Sequence, residues 1–250
     1  MGTVEFFDQL ARSTDSYLNT ARMVSLRPGV FKLTMADINR KITLQKTDSV
    51  LDLGGGCGQL TELLAVRCGS VVLCDGAASA LETAQRQLQT HSNVSYVQAD
   101  ITKLPLPFGD SQFDTVICYS VVHYLQSMAQ FAALLDELLR IVKPGGKILV
   151  GDMPLVDRYQ KNLAEREKNK VRKILLNLRY RMKRGATQFL YKRKGLDPSQ
   201  VSGMRYDRRA VLEVLNQKGL EKFEFIEQDR RLPSADSRED LLIVKESYEN

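Results

Sequence analysis

The residues best placed to do chemistry lie in VLDLGGGCGQLT, residues 50 to 61, where an apolar run meets four glycines and then a helical pattern. A turn that reverses this sharply, and lets a ligand approach its backbone, excludes Cβ atoms. The helix that follows offers free N–H groups to an electronegative ligand atom. The glycines at 54, 56 and 58 do not fit dinucleotide spacing, since a template starting at Gly56 requires Gly or Ala at position 61 and finds Thr61. Two further acids close apolar runs, Asp75 in SVVLCD and Asp100 in NVSYVQAD. A carboxylate at such a position can accept two O–H bonds at once. His123 and Asp152 follow two later apolar runs and are candidates to take a proton from an attacking nucleophile or to hold a hydroxyl.

The elements that must position these residues alternate. SVLDL, SVVLCD, NVSYVQAD, FDTVICYS and GGKILVGDMP read as strands, with helices at QLTELLAVRC, ASALETAQRQLQT and MAQFAALLDELLRIV between them. Such alternation implies right-handed crossovers and a parallel sheet covered on both faces. Residues 5 to 24 and 30 to 41 pattern as helices, with Pro28 and Gly29 as a turn, and residues 1 to 45 are expected to form a helical cover over a ligand. After Pro154 the alternation stops. A helix at Arg208 to Gln217 then leads into KFEFIEQ and DLLIVKE, a closing hairpin. The expectation is one α/β domain over 1 to 250, a Rossmann-like doubly wound sheet of seven mostly parallel strands with an antiparallel last strand. Residues 155 to 207 would be a basic helical insertion, or lid, between strands five and six.

Four motifs in this order resemble class I S-adenosylmethionine (SAM)-dependent methyltransferases. Asp52-x-Gly54-x-Gly56-x-Gly58 is similar to the first motif of that superfamily, and Asp75 stands where it places an acid on the ribose hydroxyls. QADITKLPLPFGDSQFD is similar to its ADxxxLPFPDxSFD stretch, and LLRIVKPGGKILV to its LxRVLKPGGxLL segment. The resemblance covers residues 48 to 152 and implies a SAM cofactor. Asp52, Gly54, Gly55, Gly56 and Gly58 would hold its methionine end, Asp75 its ribose, and Asp100 with Ile101 its adenine, with Gly76 and Tyr119 also against the cofactor. CYSVVHYL places the chain nearest the small-molecule branch with its quinone and sugar methyltransferases. His123 and Asp152 are then the catalytic candidates, although alignment of nucleophile, methyl carbon and sulfur can suffice without a base. Tyr17 and Tyr206 could close over the pocket, although core or surface positions suit both better. Neither NPPY nor DPPY follows strand four, where Cys118, Tyr119 and Ser120 stand instead, and this counts against amino-methylation of nucleic acid.

Composition sets the remaining bounds. With 43% hydrophobic and 26% charged residues, the chain is an ordinary globular one, and the start MGTVEFFDQLARSTDSY lacks the pattern of a signal peptide. A cytoplasmic location is expected. Four irregularly spaced cysteines and two histidines give no zinc pattern, so reduced thiols and no metal are expected. The net charge of +6 is uneven, because residues 157 to 195 hold fourteen Lys or Arg against three Asp or Glu. An anionic small-molecule or glycan-like acceptor is the expected partner. The basic segment also allows membrane-surface contact through 158 to 184, or RNA, which its few aromatics rank lower. A nicotinamide-dependent oxidoreductase and a non-catalytic SAM-fold binding protein are the rival readings.

Overall fold

The computed structural model describes residues 2–13, 29–168, 195, 197 and 203–247. Seven strands form one sheet in the order β3-β2-β1-β4-β5-β7-β6. They are β1 (Ser49–Leu53), β2 (Ser70–Asp75), β3 (Val94–Gln98), β4 (Phe113–Tyr119), β5 (Val142–Pro154), β6 (Phe223–Glu227) and β7 (Arg238–Val244). β1 to β5 pair in parallel, and β7 runs antiparallel to both β5 and β6. The last strand thus inserts between β5 and β6. The hairpin was legible in the sequence, but which of its strands meets β5 is a tertiary result.

Adjacent residues along the central strands enter opposite cores. Leu51, Val116 and Ile148 join Phe131, Leu134 and Leu138 of helix α5 (Met128–Ile141) on one face. Val50, Ile117 and Leu149 join Met35 and Ile38 of α2 (Val30–Lys41), with Leu60 and Leu64 of α3 (Gln59–Ala65), on the other. Parallel strands covered on both faces need such unbroken apolar runs rather than alternation. Two caps set the helix starts on the first face. Ser127 accepts from Gln130 N before α5, and Asp207 from Arg209 N before the helix Arg208–Gln217.

The strand order reverses at β1, whose neighbours are β2 and β4. Divergence of the connections on either side opens a crevice beyond the carboxyl ends of those strands. The N-terminal helix α1 (Thr3–Arg12) covers part of it. That helix ends at Arg12, and the rest of the expected helix 5 to 24, Tyr17 included, lies largely outside the described residues. Helix α6 (Val156–Lys168) follows β5, and residues 169–194 of the basic segment, where Val171, Ile174, Leu175 and Leu178 are spaced for one apolar helical face, lie outside them. Arg158 of α6 turns inward, 2.6 Å from Glu227 and 3.2 Å from Glu239. Part of the basic charge is therefore neutralised within the fold. Among the described residues no helix is long and apolar enough to cross a membrane.

Candidate cofactor and acceptor site

A cavity of about 740 Å³ lies beyond the ends of β1, β2, β4 and β5. This volume is within the range of small-molecule sites. Its floor on one side is the glycine turn. Gly54 and Gly56 have φ of 75° and 57°, and a Cβ on Gly54 would stand 2.4 Å from Val121 Cγ2. The backbone can pass between β1 and β4 there only without a side chain. Gly54, Gly55, Gly56, Gly76, Asp52, Asp75, Asp100, Ile101 and Tyr119 all line the cavity, as do both catalytic candidates, His123 and Asp152. Gly58 does not. It precedes α3 with φ 85° and backs onto Leu88 and Ala84 of the neighbouring helical layer, where any Cβ would collide. Its left-handed backbone is the reason glycine suits the position.

Asp75 braces the turn it faces. Its Oδ2 accepts from Gly56 N and its Oδ1 from Ala77 N, both at 2.9 Å, so the carboxylate is locked in orientation before any ligand arrives. Burial raises its pKa, opposed by the N–H groups of Ala77, Gly56 and Gly76. Asp52 lies deeper, 2% exposed, and accepts from Thr61 Oγ1 at 2.7 Å. Burial pushes its carboxyl up to about 7, with the Thr61 hydrogen bond opposing and the Asp75 charge adding. Thr61, the residue that breaks dinucleotide spacing, is thereby the partner of the first acid. Asp100 accepts on Oδ1 from both Thr102 N and Thr102 Oγ1, which fixes the loop after β3, and Ile101 adjoins it on the cavity wall. None of the four cysteines forms a disulfide, and burial pushes the Cys74 thiol up to about 12, as suits a packing residue.

Helix α1 is latched over this half. Helix α4 (Ala78–Gln87) has Ala77 at its N-cap, which cannot cap it. Asp8 supplies the missing acceptor from α1, taking Ser79 N at 2.8 Å, while Arg12 Nε reaches Ser79 Oγ at 2.8 Å. Thr3, Val4, Phe7 and Ala11 then form the cavity roof, and Phe7 stands edge-on to Tyr124 at 5.0 Å. Asp8→Ala is expected to cost about 1 kcal/mol of stability and to speed ligand release several-fold, read by thermal unfolding and by stopped-flow displacement. Faster release without the stability loss would mean that Asp8 touches the ligand instead.

The opposite half is polar and held from below. Ser120 and Asp152, at the ends of β4 and β5, both have positive φ, 60° and 59°. Such backbone is costly outside glycine and persists only where its surroundings hold it. Here the β5 register shifts against β7 between Val150 and Met153, Asp152 N donates to Asp240 Oδ1 at 2.8 Å, and Ser120 Oγ donates to Asp152 Oδ2 at 2.5 Å. Arg238 pairs with the same Oδ2. Beside Asp152, Gly151 leaves the space the Tyr119 ring occupies, since a Cβ there would lie 2.1 Å from Tyr119 Cδ2. Beneath lies a buried network in which Lys41 Nζ is 2.7 Å from both Asp37 Oδ2 and Asp240 Oδ2. Gln228, at the end of β6, joins it to the cavity.

His123 is buried in a 3-10 turn, Val122–Tyr124, its ring centroid 4.2 Å from that of Tyr124. Tyr206 holds this turn from behind. It is fully buried and donates its hydroxyl to Val122 O at 2.7 Å. Of the places the sequence allows Tyr206, over the pocket or in the core, the structure takes the core, where the Leu155 to Tyr206 bridge holds it against Phe131. Sequence reasoning missed Gln228, Arg238, Asp240, Lys41 and Asp37. No motif joins them, because Asp37 and Lys41 lie on α2 and Gln228, Arg238 and Asp240 on or beside β6 and β7, so no local signal marks the set.

Residues 51–150 match the family model described as a methyltransferase domain. That segment, which holds the glycine turn, Asp75 and Asp100, is a methyltransferase domain. It is 32% identical over 167 residues to a demethylmenaquinone methyltransferase of Clavibacter sepedonicus, covering 63% of this chain and 64% of that one. It is 36% identical over 126 residues to a ubiquinone/menaquinone biosynthesis C-methyltransferase of Proteus mirabilis, covering 47% and 48%. The chain thus spans under two thirds of the length of these relatives. Among solved structures it superposes on the N-methyltransferase NodS of Bradyrhizobium japonicum, in complex with S-adenosylhomocysteine, with TM-score 0.58, 18% identity and full coverage of both chains. That likeness is one of fold. Among the described residues no cluster of three His, Cys, Asp or Glu side chains is placed to hold a metal.

Proposed function

We propose that this protein transfers a methyl group from SAM to a nucleophile on a small-molecule acceptor. The observation that carries the reading is Asp75, fixed by Gly56 N and Ala77 N at the mouth of the glycine turn. Its remaining lone pairs suit two vicinal hydroxyls. Asp52 and Gly54 to Gly56 would hold the amino-acid end, and Asp100 with Ile101 the adenine. SAM, when bound, supplies a methyl carbon activated by the sulfonium. The chain's own part is alignment and exclusion of water: α1 roofs the cavity, while Tyr119, His123, Asp152 and Gln228 wall the acceptor half. His123 and Asp152 are proposed as the groups nearest the attacking nucleophile. Arg238 and Ser120 hold Asp152 in place for that role.

The relatives named for quinone biosynthesis support an aromatic acceptor, methylated at carbon. Phe7, Phe31, Tyr124 and Leu232 on the cavity wall suit a flat apolar ring. Arg205, exposed at the mouth with its guanidinium 4.0 Å from the Tyr159 ring centroid, is the cation that would meet an anionic substituent. The relatives and solved structures named above are methyltransferases, which does not favour the nicotinamide reading. Isothermal titration with SAM and S-adenosylhomocysteine tests the proposal, and micromolar binding of both is expected. Binding of a nicotinamide dinucleotide in their place would overturn it.

A further inference from the structure

Charges around the acceptor half are matched in pairs, and one cation is left over. Asp37 and Asp240 beneath the cavity meet Lys41 and Arg40, and Asp152 on its wall meets Arg238. Arg158 and Arg208 converge on Glu239, which pairs with Met153 at the end of β5, and each takes a further acid, Glu227 and Asp157 respectively. Arg205 lines the same cavity and makes no ion pair with any described residue. It is nevertheless held in place. Met204 N donates to His123 O at 2.6 Å and Tyr206 N to Pro154 O at 2.9 Å, so the backbone on both sides of Arg205 is tied to the cavity wall. Its guanidinium lies over the Tyr159 ring of α6, 4.0 Å from the centroid. Stacking engages the face of a guanidinium and leaves the N–H donors in its plane unspent. A surface arginine usually gives up side-chain freedom on meeting an anion. Here Tyr159 has already removed part of that freedom.

We infer that Arg205 is a specificity-determining residue whose guanidinium pairs with a carboxylate carried by the methyl acceptor, so that the site takes an aromatic acid in preference to its neutral isostere. The inference rests on the proposed methyltransferase reading, and it adds a charge that the quinone names of the relatives do not state. The planar fork of donors matches a carboxylate, two N–H groups to two oxygens. A single unmatched cation also suits a monoanion. A phosphate dianion would bring a second negative charge into a half of the cavity where Arg238 is already engaged by Asp152. Because Arg205 is exposed at the mouth, a carboxylate held there leaves the ring to extend inward along Phe7, Phe31 and Tyr124.

The test titrates 2-naphthoate and 2-naphthamide, matched in shape and differing in charge, into the whole chain saturated with S-adenosylhomocysteine at pH 8. Wild type is expected to bind the naphthoate about fivefold more tightly, the upper end for an ion pair open to solvent. In Arg205→Met that ratio should fall to near one, with S-adenosylhomocysteine affinity unchanged. Arg205→Lys keeps the charge without the fork and should retain only part of the preference. A third probe, 2-naphthyl phosphate, is expected to bind no more tightly than the naphthoate. Equal binding of naphthoate and naphthamide by wild type, or binding of neither, overturns the inference. So does a ratio retained in Arg205→Met, which would put the carboxylate on other cations of the basic stretch. Much tighter binding of the phosphate would overturn the carboxylate assignment in favour of a phosphate ester. Failure of S-adenosylhomocysteine to bind would instead strike at the methyltransferase reading, and it is seen in the first titration before any naphthalene probe is added.

Discussion

Replacing Asp75 with alanine is expected to weaken S-adenosylhomocysteine binding roughly 30- to 700-fold, about 2 to 4 kcal/mol, measured by isothermal titration at pH 8. Two losses combine in this figure. The ribose would lose its acceptors, and the Gly56 and Ala77 N–H groups would lose the carboxylate that now fixes the turn. The second loss separates Asp75 from an ordinary surface contact, since a looser turn must be ordered again by the ligand at binding. Asp75→Asn should fall between wild type and alanine. Its amide keeps one acceptor oxygen but sets an NH₂ against either Gly56 N–H or Ala77 N–H. Melting of the ligand-free protein gives the control, and an alanine variant that binds as tightly as wild type would remove Asp75 from the site.

The second large effect is a pH dependence centred on Asp52. Its folded carboxyl sits at about 7 against an ordinary 3.8, chiefly through burial. The folded state therefore keeps a proton that the unfolded chain releases at lower pH. The stability tied to that proton is fully present below about pH 4, is lost as pH rises to about 7, and is flat beyond, for a change of roughly 4 kcal/mol from this group. Ligand binding should run the other way. An ammonium or other cation near Asp52 favours the ionised form, so cofactor affinity should fall by up to tenfold for each pH unit below about 7, with proton release on binding. Asp75, whose pKa burial also raises, reinforces the same sign. Asp52→Asn should flatten the stability profile of the ligand-free protein and stabilise it at pH 8, while weakening cofactor binding there. Calorimetric titration in buffers of different ionisation enthalpy counts the proton. A cofactor affinity level from pH 5 to 8 would show that Asp52 does not respond to the ligand.

These two acids illustrate what could be read from the sequence alone. Asp52, the glycines and Asp75 are close in sequence to the strand ends they occupy, and each strand end is marked by a local change from apolar run to turn. Short-range order was enough to place them, together with Asp100, Ile101, His123 and Asp152, on one side of a parallel sheet. Gly58 shares the spacing of its neighbours, and the structure sets it behind the turn, next to Leu88 and Ala84, rather than on the cavity wall. Tyr206 could be read either as a lid or as core, and the bridge to Leu155 decided for the core.

What the sequence determined by itself is the cofactor half: an alternating strand and helix pattern that admits essentially one winding, and a glycine turn whose chemistry is carried by a dozen contiguous residues. Tertiary structure decided the acceptor half. Lys41, Asp152, Gln228 and Asp240 are separated by up to 199 residues and meet only because β7 enters the sheet between β5 and β6, bringing its buried acid beneath the bulge of β5 and beside α2. Hydrophobic periodicity reports which face of an element is buried, not which neighbour it finds, and the buried charges there interrupt that periodicity. The hydrogen-bond partners in that half follow from strand order, a property of the whole chain rather than of any segment of it.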